Sequence, residues 1–167
     1  MASETSIPVP KVATEVTGLK AGLLTLGSLI IYFMVMKYFN FMDSAMAWAV
    51  NFVILGAGII ASFEYYRSRT TLNVDYIPGL ILGTITTAVA VFPFAFFIYI
   101  FFSQADTLLL PLLKDNVLFM GEEITPTRAA FATAIEGLCS GVVVTFIMMQ
   151  YFRSGFKRKK NEKLMHG

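Results

Sequence analysis

Four long apolar stretches, each closed off by charged or turn-forming residues, leave this chain few folds to choose from. The first runs from about Gly18 to Phe41, and its uncharged core, Ala21 to Met36, is flanked by Lys20 and Lys37. The second, Ser44 to Phe63, holds 20 residues without a charge, and the third, Tyr76 to Ala105, holds 30. The fourth extends from about Ala129 to Phe152 and contains a single acid, Glu136. A helix needs roughly 20 apolar residues to cross a hydrocarbon core of about 30 Å. Within one segment, only a helix satisfies every backbone polar group in lipid. The expected fold is therefore all-α: one polytopic domain of four transmembrane helices spanning residues 1–167, with a basic tail from 153 to 167.

Composition supports this solvent assignment. The chain is 56% hydrophobic and 14% charged, whereas soluble domains average about 45–50% and about 25%. A single cysteine, Cys139, excludes an internal disulfide and a cysteine-based zinc site. The polar lead before the first segment carries mixed charge and no small-residue cleavage pattern, so the first helix is expected to remain as an anchor.

Basic residues orient the spans. Lys11 and Lys20, Arg67 and Arg69, and six residues from Arg153 onward place ten of the thirteen on one side of a four-span arrangement. Both termini are then expected in the cytoplasm, with Lys37, Lys114 and Arg128 outside. The outer loop, 106–128, carries LLLPLLKDNVLFM, too apolar for a solvated coil and too short to span, which reads as an interfacial or re-entrant segment broken near Pro111. Thr125 and Pro126 suit a helix cap and first helical position. In the tail, Lys157, Arg158, Lys159 and Lys160 are candidates for contact with anionic lipid headgroups. Such a cluster beside a span is the ordinary orientation signal, and nothing points to nucleic acid.

Projected at about 100° per residue, the fourth segment separates into two sides. Thr133, Glu136, Gly137, Ser140, Gly141 and Thr145 share one; Phe131, Ile135, Leu138, Val142, Phe146 and Met149 share the other. Small and polar groups on one side predict a packing face, bulky ones a lipid face. The other segments align Gly18, Gly22, Thr25 and Tyr32; Ser44, Ala47, Asn51, Gly58 and Ser62; and Gly79, Gly83, Thr86, Ala90 and Pro93. The glycines read as close-approach sites between helices. Counted from the outer ends, Glu136 and Asn51 lie at matching depths of about 12 Å, with Tyr32 and Tyr99 at comparable levels. An intramembrane polar site of Glu136, Asn51, Tyr32 and Lys37 follows as a candidate. In it Glu136 either donates to Asn51 or a backbone carbonyl as a neutral acid, or pairs with Lys37 as a carboxylate. Its role stays open between assembly and a proton, ion or ligand site.

GLKAGLLTLGSLIIYF, EYYRSRTTLNVDYIPGLILGT and EGLCSGVVVTFIMMQYF together resemble a family of small bacterial four-helix membrane proteins, a domain of unknown function, over most of residues 15 to 156. The resemblance implies a bacterial inner-membrane location and carries over no catalytic residues. No nucleophile–base pair, phosphate loop or metal-ligand cluster appears by spacing, so no enzyme activity, cofactor or metal is expected. Cys139 reads as small core filler. Two functions remain. One is a bundle acting by association with itself or with other membrane subunits in the bilayer. The other is a small transporter or channel using Glu136.

Overall fold

A computed structural model describes residues 14–39, 41, 45–69, 76–104 and 125–165, with 45, 47, 76 and 152–165 described by their backbone alone. Four helices account for nearly all of them: α1 (Thr14–Tyr38), α2 (Ala45–Arg69), α3 (Tyr76–Gln104) and α4 (Pro126–Met165). Each is long and apolar enough to cross a membrane, and no strand occurs among the described residues. The start of α4 is capped by Thr125, whose Oγ1 accepts from the Arg128 amide at 3.3 Å while its carbonyl accepts from Ala129 at 3.0 Å. Pro126 occupies the first helical position, where its missing N–H costs nothing.

Helix ends depart furthest from the apolar boundaries in two places. Helix α2 continues past Phe63 to Arg69, because charge beyond the hydrocarbon does not interrupt backbone hydrogen bonding. For the same reason α4 does not stop near Phe152; the basic tail continues it as one helix to Met165. Lys157, Arg158, Lys159 and Lys160 lie on this helical extension. The interfacial segment expected in the outer loop falls on residues 105–124, outside the described ones.

Helix α3 is the centre of the bundle. It packs against each of the other three helices, and 50% of its span is buried against 28% for each of theirs. It also runs unbroken through Pro93, whose ring is exposed instead of lining the small-residue face. Against α1, Gly18 faces Ile85 and the Leu82 carbonyl, while Gly22 faces Val89 and the Thr86 carbonyl. Thr86 Oγ1 donates across that seam to the Gly18 carbonyl at 3.4 Å and within its own helix to Leu82 at 2.8 Å.

Against α4 the match is reciprocal. Gly83 receives Thr145, Thr87 is received by Gly141, and Val91 by Gly137. The partners step by four residues up one helix and down the other, so α3 and α4 are antiparallel with one continuous register. A third seam joins α1 to α2, where Thr25 is seated on Gly58. Gly79 is buried on α3 as well.

Phe33 organises the opposite end of α1. It is fully buried and meets Trp48, Phe94, Phe97, Phe101 and Phe102 edge-on, at centroid distances from 5.0 to 6.4 Å. Edge-to-face pairs contribute roughly 0.5–1.5 kcal/mol each beyond area burial, so this cluster clamps α1, α2 and α3 together. At the far end, Thr14 Oγ1 donates to the Tyr66 hydroxyl at 3.3 Å, tying α1 to α2.

The glycine seams generate a test. A Cβ at Gly58, Gly83 or Gly141 would lie 2.9 Å from the Cβ of the facing threonine, so rotating that threonine about χ1 cannot relieve the clash. Gly27 has nothing within 4 Å of a new Cβ. Gly141→Ala and Gly83→Ala are expected to lower stability by about 1–3 kcal/mol. Gly27→Ala is expected to leave it unchanged or raise it by up to about 1 kcal/mol. Unfolding of each variant in mixed micelles measures the difference.

Candidate intramembrane polar site

Glu136 stands ten residues past Pro126, about 15 Å along the axis of α4 and well inside its apolar span. It neighbours Gly137, whose contact with Val91 brings the α3 backbone close. The acid therefore lies on the shoulder of the α3–α4 seam. Thr133, Glu136 and Ser140 are all half-buried. Thr133 Oγ1 donates to the Ala129 carbonyl at 2.9 Å, and Ser140 Oγ to the Gly137 carbonyl at 3.0 Å. Both hydroxyls spend their proton within α4, so neither donates to the carboxyl group.

The expected layer of polar partners does not assemble around Glu136. The Oδ1 of Asn51 is buried and accepts no hydrogen bond, so the Glu136–Asn51 bond expected from matching depth is not formed. Helix length alone ignores how α2 and α4 are rotated and tilted against each other, and that decides whether two polar groups meet. Lys37 is engaged elsewhere: its Nζ lies 4.4 Å from the centre of the Phe101 ring, at the margin of the aromatic cluster. Cation–π attraction of this kind is worth about 0.5–2 kcal/mol. Tyr32 is half-buried and Tyr99 is exposed. Among the described residues, no hydrogen bond or ion pair reaches Glu136.

Three further placements differ from the helical projection. Cys139 is exposed, not core filler. Met149 is 8% exposed and belongs to the inner cluster with Leu55, Ile59 and Phe63. Leu138 is only half-buried but packs against that same cluster. For Met149 and Leu138 the cause is that α4 touches α2 as well as α3, with Val144 against Gly56. Two neighbours cover a wider arc than a single packing face does. Phe131, Val142 and Phe146 remain exposed, on the side that meets lipid or a partner.

Thr87 is a site residue that the helical projection passed over. It is 3% exposed, its Oγ1 has no partner, and it is wedged onto Gly141. Its spacing of four from Gly83 was the available signal, since it falls on the same ridge. Beside it, a groove of about 180 Å³ runs between α3 and α4, lined by Leu80, Thr84, Ala88, Phe92, Leu138 and Val142 among others. Its walls are almost wholly apolar. No group of three or more His, Cys, Asp and Glu capable of holding a metal occurs among the described residues.

Four apolar helices closed by glycine seams, with Glu136 half-buried at the edge of one of them, define a multi-pass helical membrane protein. Compared with known proteins, the chain matches no family model, no curated protein and no solved structure.

Because Asn51 buries an oxygen that accepts nothing, removing it should cost nothing. Asn51→Leu is expected to be at least as stable as the parent protein, since an unpaired buried polar atom carries a penalty of about 1–3 kcal/mol. Thermal unfolding in detergent checks this. A loss of more than about 1 kcal/mol would mean that Asn51 has a working partner.

Proposed function

We propose that this protein is a non-enzymatic membrane subunit that works by association, as a homo-oligomer or as an accessory component of a larger membrane complex. The observation carrying this reading is Glu136, half-buried within an apolar span and unbonded to any described residue. A charged side chain left against lipid at the centre of a helix costs about 2.5–3.5 kcal/mol. A polar or small-residue surface from another polypeptide, laid over the face bearing Thr133, Glu136 and Ser140, offsets that cost. The interior leaves little room for another role: Phe33, Phe94, Ile98 and Phe102 fill one half of the bundle, and Leu55, Ile59, Phe63 and Leu82 the other.

The positive-charge bias favours both termini in the cytoplasm, and the family resemblance favours a bacterial inner membrane. The competing reading is a small transporter or channel that moves a proton or cation through Glu136. It rests on the same carboxyl group and on the buried oxygen of Asn51.

Native mass after extraction in mild detergent tests the proposal. The parent protein is expected to run above the mass of one chain, alone or with co-purifying subunits, and Glu136→Leu is expected to shift it toward the single chain. A parent protein that is monomeric and free of companions overturns the association reading. Loss of a measurable flux in Glu136→Gln, with native mass unchanged, would favour the transporter instead.

A further inference from the structure

Glu136 is the first member of a line that runs along one side of α4. Glu136, Ser140, Val143 and Ile147 follow one another at spacings of four, three and four, which stacks them on one face of the helix. Val143 and Ile147 are 56% and 60% exposed, so neither α2 nor α3 covers this line beyond Ser140. Between Glu136 and Ile147 it holds nothing larger than a branched aliphatic side chain, and a second helix can approach it closely.

The hydrogen-bonding groups on this side are unevenly supplied. Thr133 and Ser140 have donated their protons within α4, so both hydroxyls offer only lone pairs to anything outside it. The group left that can donate is the carboxyl of Glu136 in its acid form, and it can accept as well. One chain thus carries a donor and acceptors suited to it within a turn of helix, yet no hydrogen bond joins them.

We infer that this face of α4 docks on the same face of a second copy of the chain, the acid of each copy bonding to oxygens of the other. The inference rests on the association reading of Glu136 and names its partner. Copies of one sequence insert with the same orientation, so a two-fold axis relating them runs along the bilayer normal. Each residue on the line then meets its own counterpart or a near neighbour of it. Across that axis Glu136 finds a second carboxyl, flanked by the Ser140 and Thr133 hydroxyls that their own chain leaves as acceptors. Two ionised carboxylates would repel there, so the pair keeps at least one proton. A polar site that is incomplete in one chain is completed by two, and symmetry alone brings the acceptors to the right turn.

Disulfide cross-linking of the full chain in native membranes, with copper phenanthroline as oxidant, tests the inference. In a Cys139→Ser background, Val143→Cys puts the only thiol on the contact line. Helices packed about 8–10 Å apart, with Cα atoms about 2.3 Å from each axis, bring such a pair within the roughly 7 Å that a disulfide spans. Leu24→Cys, 75% exposed on α1, is the control for random collision. The expected result is a covalent dimer for Val143→Cys at about ten times the yield of Leu24→Cys. Adding Glu136→Leu should lower that yield about tenfold, whereas Glu136→Gln, which still donates and accepts, should keep it. Equal yields at positions 143 and 24, an unchanged yield in Glu136→Leu, or a loss in Glu136→Gln would each overturn the inference. A native mass above one chain that comes from a different polypeptide, without the covalent dimer, would sink it while leaving the association reading intact. A lone monomer would sink both.

Discussion

Threonine seated on glycine is the contact on which the bundle depends. In lipid, helices gain nothing from leaving water, so their association rests on close van der Waals packing and the hydrogen bonds it permits. Three such contacts hold here: Thr25 on Gly58, Thr145 on Gly83 and Thr87 on Gly141. Threonine suits the task because its branched Cβ restricts χ1, so little rotamer freedom is lost on docking. Its hydroxyl can also be satisfied at home. Thr25 Oγ1 donates to the Ala21 carbonyl at 2.8 Å and Thr145 Oγ1 to the Gly141 carbonyl at 2.7 Å. Thr87 lacks such a bond, and close packing on Gly141 is what remains to hold it.

The seams explain why α3 is central and why the aromatic cluster can form. Gly18 and Gly22 bring α1 near enough to α3 for Phe33, further along, to reach Phe94, Phe97, Phe101 and Phe102. Small residues thus set the spacing, and large ones fill what that spacing leaves. The half-buried acid on α4 follows from the same geometry. Gly137 and Gly141 turn one side of α4 into α3, and Val144 leans on α2, so Glu136 is carried to the edge of both contacts. A residue at such an edge is half covered by its own bundle, which is the basis for reading it as part of an interface.

Much of this was legible in the residues taken singly. Four spans, the Thr125 cap and the glycine-bearing faces all follow from length, charge and helical spacing. The candidate polar site was less legible. Glu136 was evident as an acid in an apolar run, but its pairing with Asn51 was inferred from depth, and depth fixes only one of the coordinates two side chains must share. Met149 was misplaced because a projection assumes one packing face, whereas α4 has two neighbours. The continuation of α4 past the membrane was obscured by its charge, which hydropathy registers as an end although the backbone does not.

What the residues determined alone was the number, length and class of the elements. Lipid offers backbone groups no partners, so an uncharged run of this length must be helical whatever surrounds it. Which glycine receives which threonine, that α3 lies at the centre and that Asn51 is left without a donor were decided only by the tertiary structure. Each depends on the rotation and register of one helix against another. Several glycine-bearing faces satisfy the local rules equally well, and only packing all four helices at once selects among them.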